Sequence, residues 1–167
     1  MVRKVAENEN QVFCDDLEAV CEMIHELAGV EGRPDDARPN PEALAAALKG
    51  KSCRIFAYVA ENPDGKRIGY ALLYLTFSSF KTSFRLHLED LYIREASRGQ
   101  GVGTAFMVAA AKLADELGAT SLEWAVRRDN DAARHYYDQY GPTEMDGWRH
   151  FSLEAAQIKR LAQNAVD

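Results

Sequence analysis

Cysteine, long apolar runs and positive charge are all scarce in this sequence. Its 167 residues include only 3 cysteines, Cys14, Cys21 and Cys53. Their spacings match no zinc or redox motif, so we expect small buried hydrophobic side chains. No run reaches the ~20 apolar residues of a membrane span, and residues 1–10 lack the apolar stretch of a signal peptide. We therefore expect no membrane partner and a cytoplasmic location.

The charge balance argues against binding to nucleic acid. There are 20 Lys and Arg residues against 26 Asp and Glu residues, a net charge of −6, and such a field repels a phosphate backbone. The four histidines show no metal-ligand spacing, so we expect no metal. Apolar residues make up 47% of the chain, which is typical of a folded globular protein. The length predicts a single domain over residues 1–167.

Helical and strand patterns follow one another along the chain. The spacing of apolar residues predicts helices over residues 15–28, 41–49, 102–117, 131–140 and 154–163. Runs of β-branched and aromatic residues predict strands over residues 53–60, 67–77, 84–94, 121–126 and 148–153. Asp15 is expected to cap the first helix and Gly29 to end it. These elements predict an α/β (α+β) fold, a mixed sheet with helices on both faces.

The third strand contains two adjacent acids, Glu89 and Asp90, at a change of pattern. Its apolar side chains occupy even-numbered positions over residues 86–88 and odd-numbered positions over residues 91–93. Either both faces are buried, or a bulge near the acids resets the phase. In a regular strand the two carboxylates would point to opposite faces.

A glycine-rich loop, Arg-Gly-Gln-Gly-Val-Gly at residues 98–103, precedes the third long helix. Glycines allow close approach of a ligand to the backbone, and a helix N-terminus attracts anions, so the loop suits a pyrophosphate. The alternative is a purely structural tight turn. A P-loop is excluded because no Lys-Ser/Thr pair follows, and Thr104 stands where a dinucleotide fingerprint has Gly or Ala.

Residues 88–103 resemble the strand-to-helix signature of the GCN5-related N-acetyltransferase (GNAT) superfamily, Arg/Gln-x-x-Gly-x-Gly/Ala, here Arg98, Gly101 and Gly103. Leu-Glu-Asp-Leu-Tyr at 88–92, Glu-Trp-x-Val at 123–126, Tyr-Tyr-x-x-Tyr-Gly at 136–141 and Asp-Gly-Trp-Arg at 146–149 are similar to the diamine (spermidine/spermine) N-acetyltransferase branch. The resemblance implies the GNAT fold, with a mixed, mostly antiparallel central sheet of six to seven strands, and a homodimer.

The resemblance also implies that acetyl-CoA binds along the third strand and the glycine loop, where two strands splay apart to admit the pantetheine arm. The implied cofactor-binding residues are Leu91, Tyr92, Ile93, Arg98, Gly99, Gln100, Gly101, Val102, Gly103, Thr104, Asn130 and Tyr137. A plain helix N-cap explains Asn130 equally well.

Amine acetylation needs a free base, and deprotonating an alkylammonium with pKa near 10.4 at pH 7 costs about 5 kcal/mol. The family match makes Glu89 the general base, directly or through water, and Asp90 a structural or substrate-orienting acid. A phenol can protonate the departing thiolate. Helical spacing does not choose among the tyrosines at positions 136, 137 and 140, whereas the family pattern indicates Tyr137. The implied substrate-binding residues are Glu31, Asp90, Glu123, Asp146 and Trp148.

The predicted activity is N-acetylation of a primary amine on a small cationic diamine or polyamine, by direct transfer in a ternary complex. Two departures weaken the polyamine assignment: residues 78–80 lack the acid of the polyamine relatives, and Val30 replaces their tyrosine. One alternative is acetylation of an amino acid or lysine analogue, whose carboxylate Arg85, Arg127 or Arg149 would bind. The other is a non-catalytic acyl-CoA-binding sensor.

Overall fold

The computed structural model describes residues 1–8, 11–12, 14–49, 54–145, 147 and 149–163. The chain divides into two compact units, Met1–Ala125 and Val126–Asp167. The predictions for Cys53, Asp146 and Trp148 lie outside the described residues.

The first unit holds most of the regular secondary structure. Its elements are β1 Val2–Lys4, β2 Ala6–Asn8, β3 Gln11–Val12, α1 Cys14–Val30, α2 Pro41–Leu48, β4 Ile55–Glu61, β5 Arg67–Ser78, β6 Ser83–Ile93, a short 3-10 helix Glu95–Ser97, α3 Val102–Glu116 and β7 Leu122–Trp124. The second unit contains α4 Asp131–Asp138 and α5 Ala155–Gln163.

The central sheet is mixed and mostly antiparallel, as predicted, with the order β1-β4-β5-β6-β7. Within the part of the chain that the structure describes, only β6 and β7 pair in parallel, and β2 and β3 form a separate hairpin. Across the described residues this sheet has five strands, so the prediction of six to seven was too high. The predicted last strand is absent, since described residues 149–153 lack regular structure. Phe151 is 91% exposed, so no buried face holds that segment in a sheet.

Helix α1 extends further at both ends than its sequence signals predicted. It begins at Cys14 and ends at Val30, so Asp15 and Gly29 lie inside it and their predicted cap roles are wrong. The fully buried Asp16 anchors the first turn, because Arg3 donates to both of its carboxylate oxygens at 2.6 and 2.9 Å. Arg67 adds a third hydrogen bond of 2.8 Å. This long-range ion pair overrides the local capping signal.

Helices cover both faces of the sheet, as predicted. On one face, α1 and α2 bury a core that includes Met23 and Tyr70. On the other, a Cβ at Gly69 would lie 3.2 Å from the Phe106 ring of α3 and 2.7 Å from the Tyr92 carbonyl oxygen. Successive residues of a strand point to opposite faces, so α1 and α3 lie on opposite sides.

Three further observations concern expectations from composition. Cys21 is buried, as expected, and burial raises the pKa of its thiol. Within the described ranges, no helix is both long and apolar enough to cross a membrane, and no group of three or more His, Cys, Asp or Glu side chains is arranged to hold a metal ion.

Candidate active site

A β-bulge at Glu89 explains the change of pattern in β6. Leu73 pairs with Leu88 and Leu72 with Asp90, which leaves Glu89 as the extra residue. The bulge that the sequence offered as one alternative is therefore confirmed. Both apolar sets of β6 face α3 as a result.

The bulge also places the two acids on the same face of the sheet. Asp90 pairs with Leu72 and His87 with Tyr74, and residues two apart on β5 share a face. The Glu89 carboxylate lies 3.8 Å from His87 Nε2, so it shares that face too. The opposite orientation expected of a regular strand does not apply.

Asp90 is the more buried acid and has a defined partner. The hydroxyl of Tyr70, which is fully buried, donates to Asp90 Oδ2 at 3.0 Å. Burial raises the pKa of Asp90, and the negative charges of Glu89 and Glu31 raise this pKa further, against the opposing effect of the Tyr70 hydrogen bond. The structure thus brings Glu31, just beyond α1, and the two acids of β6 into one acidic cluster. By contrast, the Glu89 side chain is 51% exposed.

Glu123 has partners of its own on β7. It pairs with His87 in the sheet register, and its carboxylate accepts a 2.8 Å hydrogen bond from the Ser121 hydroxyl. An Arg85 Nη1 atom lies 3.3 Å from its Oε2. Glu123 therefore belongs to an ion pair that bridges β6 and β7.

The glycine loop presents backbone groups rather than side chains. Gly99 and Gly101 have φ values of +72° and +78°, and no described heavy atom lies within 4 Å of a Cβ built on either. Asn40 and Asn130 cap α2 and α4 with hydrogen bonds of 2.7 and 3.1 Å. The N-cap of α3 is Gly101, which has no side chain for this purpose, so the α3 N-terminus suits an anionic ligand.

Side chains tie this loop to the sheet and to α1. Arg98 Nε donates to the Ile93 carbonyl at 3.0 Å, and Gln100 Nε2 donates to the Ala96 carbonyl at 3.2 Å. Arg94, at the base of the loop, donates to Glu26 of α1 at 2.9 Å. The loop conformation is therefore held before any ligand binds.

Beyond the bulge, the edge of β6 next to β7 has no strand partner among the described residues. Among the described residues, β6–β7 pairing ends at Leu88 and Trp124, whereas β6 continues to Ile93. Residues 89–93 therefore offer backbone donors and acceptors along that edge. This edge and the uncapped loop fit an extended amide-containing arm with a pyrophosphate at its end, as in acetyl-CoA.

The second unit carries the remaining predicted residues, Asn130 and Tyr137. Asn130 Oδ1 caps α4 by accepting from the Ala133 N–H, so the plain N-cap role is present. The rings of Tyr136 and Tyr137 pack edge to face with centroids 5.0 Å apart. Tyr136 and Tyr140 share a 3.0 Å hydrogen bond between hydroxyls. The pKa of Tyr137 is raised to about 12, mainly by burial of its phenol and to a smaller extent by the neighbouring Tyr140.

Sequence reasoning missed Tyr70, which fixes Asp90, and His87, which lies beside Glu89. Tyr70 carries the strand pattern of any buried aromatic residue, and its link to Asp90 follows only from the β5–β6 register. An alternating pattern that included the bulge would have placed His87 on the face of the acids.

Comparison with known proteins identifies the family. Residues 20–141 match the Acetyltransferase (GNAT) family. This chain belongs to that family. The GNAT enzyme is 32% identical over 153 residues to thialysine N-epsilon-acetyltransferase of Sus scrofa, covering 86% of this chain and 89% of the relative.

A second relative supports the resemblance to the diamine branch. Spermidine/spermine N(1)-acetyltransferase-like protein 1 of Homo sapiens is 26% identical over 156 residues, covering 88% of this chain but 22% of that protein. An integron cassette protein structure from the mobile metagenome of V. cholerae has a TM-score of 0.74 at 20% identity and covers 98% of both chains, which confirms the GNAT fold. This GNAT protein is an N-acetyltransferase.

Proposed function

We propose that this GNAT enzyme transfers an acetyl group from acetyl-CoA to the terminal primary amine of a lysine-like amino acid, by direct transfer in a ternary complex. The observation that carries the proposal is the organisation of β6 and the loop after it. This one segment contains the acids at the bulge, the open edge of residues 89–93 and the glycines before α3.

The cofactor residues follow from this geometry and the family signature. Backbone groups of residues 91–93 would hold the pantetheine arm, and N–H groups of residues 99–104 would hold the pyrophosphate. Arg98, Asn130 and Tyr137 complete the proposed set. When bound, acetyl-CoA supplies an acetyl thioester as the acyl donor.

We assign the role of proton acceptor to Glu89 and the role of orienting the substrate to Asp90. Glu89 is half-exposed at the bulge, so its carboxylate can receive a proton from an incoming amine and pass it to solvent. Asp90 is held by Tyr70 and, with Glu31, provides negative charge that attracts an ammonium group.

Tyr137 is the proposed general acid. Burial raises its pKa to about 12, so its Oη keeps its proton at neutral pH and can donate it when a thiolate is released.

We place lysine-like amino acids before diamines as the acceptor. The relatives named for thialysine match at 31–33% identity over 86–89% of this chain, above the 26% of the spermidine/spermine-like relative. Residues 78–80 also lack the acid of the polyamine relatives. Diamines are the second candidate, because Glu31, Glu89 and Asp90 concentrate negative charge suited to a dication.

The test is thiol release from acetyl-CoA with thialysine, lysine, putrescine and spermidine as acceptors. We expect the highest kcat/KM for thialysine or lysine, and initial-rate lines that intersect, as direct transfer requires. Turnover of diamines alone would favour the second candidate, and parallel lines would contradict direct transfer. Tight CoA binding with no turnover on any amine would favour a sensor and overturn the proposal. Light scattering during gel filtration tests the homodimer that we also propose.

A further inference from the structure

The sheet face that carries Glu89 continues as a polar strip along β6 towards Ser83. We define the polar strip as Thr76, Arg85, His87 and Glu123. Thr76 pairs with Arg85 on β5 and β6, and His87 pairs with Glu123 on β7. Paired residues share a face, and alternation along β6 gives Arg85, His87 and Glu89 the same one.

Two side-chain polar atoms of the polar strip are buried and have no hydrogen-bond partner in the described part of the chain. Arg85 Nε and Thr76 Oγ1 have no hydrogen bond among the described residues. The Arg85 side chain is 32% exposed, and its Nη1 lies 3.3 Å from Glu123. Burying a polar atom without a hydrogen-bond partner is unfavourable, so such atoms usually bind water or a ligand. A guanidinium beside a hydroxyl is a favourable pair of donors for a carboxylate.

We infer that the polar strip binds the amino-acid end of the acceptor substrate. Arg85 and Thr76 bind its α-carboxylate and Glu123 binds its α-ammonium group, while the terminal amine reaches Glu89. The inference rests on the proposed function and adds the residues that distinguish an amino acid from a diamine.

The spacing along β6 suits a lysine-like chain. Arg85 and Glu89 are four residues apart on β6, so their Cα atoms are separated by about 13 Å at ~3.3 Å per residue. An extended lysine spans about 7.5 Å from its carboxylate carbon to its terminal nitrogen, taking ~1.5 Å bonds. A hydrogen bond of about 2.9 Å at each end brings the total to about 13 Å.

An aromatic surface lies between Arg85 and Glu89 on this face. The His87 ring packs on the Tyr74 ring with centroids 4.9 Å apart, and both residues share the face of Glu89. Burial raises the pKa of Tyr74, and the Glu89 charge raises it further, which places this phenol near the proposed base. Methylene groups or a thioether sulfur pack favourably on such rings.

The three arginines suggested by the sequence have different local surroundings. Arg127 and Arg149 belong to the second unit, and Asp129 accepts hydrogen bonds of 3.0 and 2.7 Å from Arg127. Arg85 shares a strand and a face with Glu89.

The test compares lysine with cadaverine, which is lysine without its carboxylate, for Arg85→Gln and the wild type. We expect kcat/KM for lysine to fall about 10- to 100-fold, mainly through KM, as loss of a charge-assisted bond predicts. The kcat/KM for cadaverine should change by less than about twofold. Arg85→Lys should restore part of the loss with lysine.

A matched control and a binding measurement separate recognition from folding. Arg54→Gln removes an arginine just before β4, whose guanidinium lies over the Phe84 ring. Phe84 and Arg85 are successive residues of β6 and point to opposite faces, so this variant should leave both substrates unaffected. Calorimetric titration of lysine into the protein without acetyl-CoA should show weaker binding for Arg85→Gln. Lysine amide, which lacks the negative charge, should bind both forms equally.

An equal loss for lysine and cadaverine would show that Arg85 only supports the sheet, and no loss for either would also overturn the inference. Wild-type turnover of cadaverine but not lysine would overturn the inference and leave the acetyltransferase assignment intact. If the wild type acetylates no amine, the proposed function fails, and lysine titration alone then decides the inference.

Discussion

Replacing Gly101 by alanine isolates the role of the glycine loop. Gly101 has a φ of +78°, and no described atom lies within 4 Å of an added Cβ. The protein therefore has room for the methyl group but must accept a left-handed alanine, at about 1–2 kcal/mol. For a chain of this length that cost lowers Tm by roughly 2–8 °C.

Gly65 provides a matched control in the β4–β5 turn. Its φ is +80°, and an added Cβ there also meets no described atom within 4 Å. Gly65→Ala should therefore lose a similar stability. The loss of Tm for Gly101→Ala should be at the upper end of the range given above, because alanine is a poorer N-cap than glycine.

The two variants should differ in their affinity for CoA. If N–H groups at the start of α3 bind the pyrophosphate, a methyl group at Gly101 blocks its approach. Loss of two charge-assisted hydrogen bonds, at ~1.5–3 kcal/mol each, lowers affinity by 100-fold or more. Calorimetry with CoA and thermal denaturation measure the two effects separately. Wild-type CoA affinity in Gly101→Ala, with the expected loss of Tm, would refute the loop assignment.

Three further changes test other parts of the account. Tyr137→Phe should lower kcat by about 100-fold or more with the KM for acetyl-CoA nearly unchanged, and equal loss in both would make Tyr137 a binding residue; since the pKa of Tyr137 is about 12, its ionisation should not limit wild-type kcat below about pH 10. Burial raises the pKa of Asp90, so its charge destabilises the fold above that raised pKa and is absent at low pH. Asp90→Asn, whose amide oxygen can still accept a hydrogen bond from Tyr70, should therefore have a higher free energy of unfolding than the wild type at pH 8 but not near pH 4. Urea titrations in which the variant and the wild type are equally stable at pH 8 and also near pH 4 would contradict this. Gly69→Ala would place a Cβ 2.7 Å from the Tyr92 carbonyl oxygen, and thermal denaturation should show a loss of about 1–3 kcal/mol; an unchanged Tm would mean that β5 and β6 move apart easily.

Local sequence patterns predicted elements that neighbouring residues stabilise. The helices predicted over residues 41–49 and 102–117 are present as α2 and α3, with Asn40 and Gly101 as their N-caps. The strands predicted over residues 53–60 and 67–77 form the β4–β5 hairpin, and in its turn Asn62 Oδ1 accepts a hydrogen bond from the Asp64 N–H. These features depend on contacts within a few residues, so the residue types there carry the information.

Local patterns failed where distant residues compete with them. The position at which α1 begins depends on the ion pair between Asp16 and Arg3. A local capping pattern carries no information about this contact, because Arg3 lies 13 residues away in the chain. Phe151 and Leu153 are apolar, yet both side chains are exposed, and the described residues 149–153 form no strand.

The chain alone was sufficient for the family, the glycine loop and the adjacent acids of β6, because each is a contiguous string of residues. Folding then settled which way Glu89 and Asp90 face, since a bulge can be recognised only against the paired strand. The same β5–β6–β7 pairing brings Tyr70 to Asp90 and aligns Arg85 with Glu123. Register is a property of whole strands, and it depends on long-range packing that short sequence patterns do not encode.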